Sequence, residues 1–104
     1  MYELCVKTHF SAAHKLDGYK GRCAQVHGHN WEVEIFVRGA MLDATGLLVD
    51  FREVKAEVNE VVAELDHADL NRLAFFSAQN PSSENIARYL YQALVARWKM
   101  ANCQ

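Results

Sequence analysis

The residues best suited to chemistry lie in the segment CAQVHGHNW, positions 23–31. His27 and His29 flank Gly28, and Cys23 stands four residues before the first of them. In an extended strand, side chains two apart point the same way, so the two imidazoles project together. Gly28 between them leaves the opposite face bare, which lets another backbone or a ligand approach. A third histidine, His14, closes an earlier alternating stretch. Three neutral imidazoles suit zinc, and a catalytic zinc keeps three protein ligands and one open position. Any one of these histidines alone reads as a buried ring bonded to a carbonyl; the grouping of three is what points to a metal. Cys23 admits three readings. It is the fourth ligand of a closed structural site, a thiolate favoured by the cation and by Lys20 and Arg22 nearby in sequence, or an exposed loop thiol without a role. Asp66-His67 admits two: a histidine complementing a helix C-terminus, or an acid–base pair titrating near neutrality. Spacing alone favours the former. Glu84 reads first as an anion at a helix start.

The elements that must position these groups are legible in the hydrophobic period. From Tyr2 to His14 the chain alternates, with Leu4, Val6, Thr8, Phe10, Ala12 and His14 on one face. His9 falls on the other face and is set aside as a ligand, and Cys5 and Cys103 receive no role. From His27 to Arg38 a second alternation puts His27, His29, Trp31, Val33, Ile35 and Val37 on one face, with Phe36 the exception. Consecutive strands tend to pair antiparallel, which brings His14 at the end of one to His27 and His29 at the start of the other. Between them runs the turn-rich loop KLDGYKGRCAQV. Lys15, Lys20 and Arg22 against one Asp17 make it a basic run, more commonly a solvated loop and otherwise a candidate cradle for an anion. A turn spans Gly39 to Gly46. Asp50 then reads as a helix N-cap with Glu53 completing a capping-box pattern. Phe51, Val54, Val58, Val61, Val62 and Leu65 form an apolar stripe at helical spacing. The stretch AFFSAQNP reads as a loop. A second helix is expected from Ser82 or Ser83, with Ile86, Leu90, Leu94 and Trp98 recurring every fourth residue. The order is β-β-α-α.

Bulk properties narrow the partners. The 104 residues amount to one domain, with 51% hydrophobic and 23% charged residues. A formal net charge of −2 argues against nucleic acid or an anionic membrane as the main partner. No segment approaches the roughly 18 apolar residues of a membrane span. Three cysteines, an odd count, with no basic-then-apolar leader in MYELCVKTHF predict free thiols in a reducing, cytoplasmic compartment.

Five motifs occur in order: FSAAH at 10–14, C-x3-HGHN at 23–30, TGLLVDF at 45–51, LDHADLN at 65–71 and NPSSENIA at 80–87. Together they resemble the 6-pyruvoyl-tetrahydropterin synthase family, most closely its bacterial branch of 6-carboxytetrahydropterin synthases, over residues 2 to about 95. The resemblance implies an α+β tunnelling fold (T-fold), an antiparallel sheet with two helices on one side, in which subunits close a barrel as two stacked trimers. It implies zinc on His14, His27 and His29. It implies Cys23 as the catalytic base and Asp66 and His67 completing a proton relay, in a site shared between subunits. The implied reaction converts 7,8-dihydroneopterin triphosphate to 6-carboxy-5,6,7,8-tetrahydropterin, losing triphosphate and acetaldehyde, toward the queuosine base. The alternatives are a 6-pyruvoyl-tetrahydropterin synthase, and a non-catalytic, zinc-stabilised assembly subunit. Family members continue past the second helix into two further strands, one carrying a glutamate that grips the pterin ring. Here the chain ends at KMANCQ without a match to that glutamate, so residues 1–104 are expected to be a single domain incomplete at its C-terminus.

Overall fold

A computed structural model describes residues 1–18 and 25–102. Two long strands, β1 (Tyr2–His14) and β2 (His27–Gly39), pair antiparallel in a ribbon. The helices α1 (Phe51–Ala63) and α2 (Ser83–Asn102) follow, separated by two short 3-10 turns at Leu70–Arg72 and Ala74–Phe76. The order β-β-α-α stands as the periodicity predicts. The stretch AFFSAQNP, expected to be a loop, opens with the second 3-10 turn, which buries Phe76; the first, just before it, is capped by Asp69 through Asn71 N–H.

Register decides everything near the site. Tyr2 pairs with Gly39 and His14 with His27, so Phe10 lies opposite Trp31 and Ala12 opposite His29. The pleat sends Val6, Phe10, Ala12 and His14 inward from β1, and Trp31 and Val33 inward from β2. The Phe10 and Trp31 rings stack at 5.0 Å, a cross-strand aromatic pair of the kind that fixes register.

Asp50 caps α1 as expected, although its carboxylate accepts from Arg52 N–H, one residue short of the capping-box position. Val54, Val58, Val61, Val62 and Leu65 are buried in the common core with Leu70, Ile86 and Leu90. Fully burying side chains such as Leu65 or Leu70 contributes roughly 1.5–3 kcal/mol each. Two residues of the expected stripes do not follow: Phe51 and Trp98 are each 45% exposed. They stand near the outer ends of their helices, where the two-stranded ribbon offers little to pack on. Arg97 joins the helices by ion pairs with Glu57 (2.6 Å) and Glu60 of α1. The Tyr89 hydroxyl donates to Glu64 at the end of α1. Burial, reinforced by that carboxylate, pushes Tyr89 up to about 12, so this pin stays protonated at any physiological pH.

Candidate metal centre and acid–base pair

His14 is the last residue of β1 and 7% exposed. Its position follows from the alternation: it continues the face that carries Phe10 and Ala12, and the edge of its ring meets Trp31 at 4.8 Å. His29 meets the same indole at 4.7 Å. Trp31 is therefore the floor on which two of the three imidazoles rest. Its own N–H donates to Ser83 Oγ at 3.3 Å, which ties that floor to the start of α2. His27 lies across from His14, with ring centroids 4.6 Å apart. The His29 centroid is 6.0 Å from His14 and 6.4 Å from His27. The structure thus brings the three sequence-predicted ligands to one end of the ribbon.

Hydrogen bonds set their tautomers. His14 Nδ1–H donates to Pro81 C=O at 2.8 Å, and His27 Nδ1–H donates to Gln25 C=O at 2.8 Å. A carbonyl has no proton to give, so each Nδ1 carries one. Neutral rings then turn two bare Nε2 lone pairs toward each other, and those nitrogens are 3.1 Å apart. Two lone pairs at that distance need a bridging proton or cation. Nitrogens sharing a tetrahedral zinc stand about 3.3 Å apart, and metal-binding histidines commonly anchor their second nitrogen to a carbonyl. The donor set therefore fits zinc. As placed, no group of three or more His, Cys, Asp or Glu side chains among the described residues closes around a single point. The exposed His29 ring, 6.0 and 6.4 Å from the other two, would have to turn inward to join them around one ion. Cys23, with Lys20 and Arg22, lies outside the described residues. Lys15 reaches Asp17 at 3.8 Å.

Burial, together with the charges of His27 and His29, holds the His14 pKa below its ordinary value, against the opposing pull of the Pro81 hydrogen bond. A neutral imidazole is the form that binds metal. The sign for stability follows. Between the lowered folded pKa and the unfolded value of about 6.5, the unfolded chain binds more protons, so stability rises with pH there. In metal-free protein, stability is expected to be full above pH 6.5 and to fall as pH drops below it. Unfolding midpoints from pH 8 to 5 should show this slope, and His14→Gln should flatten it; an unchanged slope in the variant would contradict the assignment.

Asp66 and His67 reach the same end of the ribbon by a different route. They do not complement a helix C-terminus, because α1 stops at Ala63. The turn after it instead runs along the open edge of β1. Ser11 N–H donates to Asp66 Oδ1 (2.9 Å), His67 N–H to Ser11 C=O (2.5 Å), and Ala13 N–H to Ala68 C=O (2.9 Å). Asp66 Oδ2 lies 3.0 Å from His67 Nδ1. The Ser11 amide, seconded by His67, holds the Asp66 carboxyl below the usual carboxylate range. His67 adopts φ 58°, a left-handed conformation uncommon for a residue with a side chain and concentrated at functional sites. Its ring is 83% exposed and lines an open recess with Ser11, Ala13, Gly28, His29 and Asn30. Among the described residues no atom comes within 4 Å of a side chain imagined on Gly28, so they leave the recess open there. With Nδ1 engaged by Asp66, Nε2 is the atom His67 offers for proton exchange.

The sequence pattern of the 6-pyruvoyl tetrahydropterin synthase family matches residues 3–104. The chain belongs to this family. The pterin synthases it joins are enzymes acting on pterins, and the α+β architecture is their T-fold, as the motifs imply. A solved 6-pyruvoyl tetrahydropterin synthase of Caenorhabditis elegans superposes with a TM-score of 0.82 at 29% identity, over 91% of this chain and 77% of that one. A protein of Archaeoglobus fulgidus, provisionally named 6-carboxy-5,6,7,8-tetrahydropterin synthase, is 40% identical over 92 residues, 88% of this chain and 75% of its own. A dihydroneopterin monophosphate aldolase of Pyrococcus furiosus is 34% identical over 87 residues, 82% of this chain and 68% of its own. No helix among the described residues is long and apolar enough to cross a membrane.

Three contributors to the site escaped the sequence. Trp31 reads as one more apolar strand residue, and its place between His29 and Val33 was the available signal. Ser11 and Pro81 act through backbone groups, which no residue type announces.

Proposed function

We propose that this chain is a zinc-dependent 6-carboxy-5,6,7,8-tetrahydropterin synthase, a lyase acting on 7,8-dihydroneopterin triphosphate with loss of triphosphate and acetaldehyde. The observation that carries the reading is the pair of Nε2 lone pairs turned toward each other at 3.1 Å beside His29, with the Asp66–His67 dyad hung on the same end of β1. His14, His27 and His29 would hold the ion. When bound, zinc supplies Lewis acidity toward the hydroxyl oxygens of the substrate side chain. His67 exchanges a proton at Nε2 while Asp66 fixes its tautomer and steadies its charged form. The recess lined by Ser11, Gly28 and Asn30 leaves room beside His67 on the ribbon face opposite the imidazoles, which suits a site shared between chains.

Cys23 is the proposed base. Cys23→Ser should keep zinc and fold and lose most of kcat, because a serine hydroxyl is a far weaker base at neutral pH. Near-wild-type turnover of the zinc-loaded variant would remove the thiol from the mechanism. The enzyme is proposed to work in the cytoplasm as a homo-oligomer of two stacked trimers, with sites shared between chains. Sedimentation at micromolar concentration should then show a species far heavier than the chain, and a monomer alone would contradict shared sites.

The 40% identity to the Archaeoglobus protein favours the carboxy product. Incubation of zinc-loaded protein with 7,8-dihydroneopterin triphosphate, read by mass, tests this. Release of acetaldehyde with 6-carboxytetrahydropterin supports the reading. A pyruvoyl product assigns the chain to the synthases like that of C. elegans, an aldol cleavage product to enzymes like that of Pyrococcus, and unchanged substrate to a non-catalytic role.

A further inference from the structure

We propose that Asn71 and Asn80 are positioning residues that continue the edge of β1 past its last strand residue and so fix where the His14 imidazole meets a cation; this rests on the zinc reading of the triad. In a pleated strand, alternate residues turn their N–H and C=O to the same edge. On β1 and its continuation, the residues facing away from β2 are Ser11, Ala13, Lys15 and Asp17. Each of them finds a partner from the segment between α1 and α2. Ser11 bonds to Asp66 and His67, and Ala13 to Ala68. Backbone pairing then stops with the bridge between Ala13 and Asp69. The two positions beyond it are served by side chains.

Lys15 N–H donates to Asn71 Oδ1 at 2.8 Å, and Lys15 C=O accepts from Asn71 Nδ2 at 3.1 Å. Asp17 N–H donates to Asn80 Oδ1 at 2.9 Å, and Asp17 C=O accepts from Asn80 Nδ2 at 2.8 Å. A primary amide thereby reproduces the two-bond exchange of a hydrogen-bonded strand pair, twice, at a spacing of two residues. Both asparagines are themselves held. Asn71 N–H donates to Asp69 Oδ1 in the first 3-10 turn, and Asn80 C=O accepts from Asn85 Nδ2 at the start of α2. Asn80 is also followed directly by Pro81, whose carbonyl takes the His14 Nδ1 proton. One short segment therefore grips the backbone three residues beyond His14 and the ring of His14 itself.

Without these clamps β1 would end at its metal-facing residue, where strands fray. The His14 backbone would be tethered on one side only, and its Nε2 would no longer be held 3.1 Å from that of His27. Outer groups that orient a ligating histidine typically matter to metal affinity by about 10–100-fold, and the same size of effect is expected here.

The test uses the full chain and zinc ions alone, with affinity read by competition against a chromophoric chelator and backbone amide exchange read in parallel. Asn71→Ala and Asn80→Ala should each weaken zinc binding by about 10–100-fold and release the Lys15 and Asp17 amides to fast exchange, with the Val6 and Phe10 amides still protected. Asn71→Asp and Asn80→Asp keep the acceptor for the amide N–H but set a charged oxygen against the carbonyl, so they too should bind zinc more weakly than wild type; they also serve if an alanine variant does not fold. Val58→Ala, which loosens the core away from the site, should leave zinc affinity at the wild-type value. Wild-type affinity in the folded asparagine variants overturns the positioning role and leaves the zinc reading intact. A wild-type protein that binds no zinc overturns the zinc reading, and this proposal with it.

Discussion

His27→Ala and His29→Ala are each expected to lose stoichiometric zinc, with affinity falling by more than the roughly 100-fold that loss of an orienting outer group costs. A catalytic zinc has three protein ligands, so removing one leaves two imidazoles and water. His27 is the cleaner probe because its ring is only half-buried and its Nδ1, among the described residues, serves the carbonyl of Gln25 alone. His14→Ala should lose zinc too, but it also empties a buried position over Trp31 and strips Pro81 C=O of its donor. His14→Gln, which refills much of that volume, is the companion variant. His29 carries the sharper risk: its ring is the exposed member and the most distant from its neighbours. Full zinc content in His29→Ala would mean that another group supplies the third ligand. Loss of zinc in Cys23→Ala would instead favour a closed, four-ligand structural centre.

Substituting His67 is expected to lower kcat by about 10²–10⁴, the usual contribution of a general acid–base group, with KM little changed. His67→Asn is the variant of choice. Asparagine tolerates the left-handed backbone that His67 adopts at φ 58°, so the bond from its N–H to Ser11 C=O survives. Asp66→Asn removes the charge while retaining an oxygen for Ser11 N–H. It should lower kcat less than His67→Asn and leave zinc content unchanged. A fall in zinc content in either variant would place the dyad among the metal's supports rather than in proton transfer. Unchanged kcat in both would return Asp66-His67 to the role of a turn.

Both probes concern groups whose legibility in the sequence differed for physical reasons. The triad was readable because a strand has a period of two: once Phe10, Ala12 and His14 share a face, and His27, His29 and Trp31 share another, an antiparallel register brings the imidazoles together. The N-terminus of α1 was readable because Asp50 is a residue type that caps. The dyad was visible as a pair, but its place was not. What attaches Asp66 to the site is the backbone amide of Ser11, 55 residues away, and any residue at position 11 would supply that amide. The same holds for Pro81 C=O. The 3-10 turns at Leu70–Arg72 and Ala74–Phe76 lay inside a stretch too short to show a period. Phe51 and Trp98 kept the helical spacing of the buried stripes yet stand exposed, because spacing gives the side of a helix and not how far its partner surface extends. Only the family resemblance, not the spacing, assigned Asp66 and His67 a catalytic role.

One zinc and the Asp66–His67 dyad are proposed to act on one pterin substrate. Turnover of 7,8-dihydroneopterin triphosphate by chelator-stripped protein, followed as zinc is added back, tests it most directly. The stripped protein should show no turnover, and 6-carboxytetrahydropterin formation should rise with zinc to a plateau at one ion per chain. Full turnover without zinc, or none at any zinc level, would contradict it.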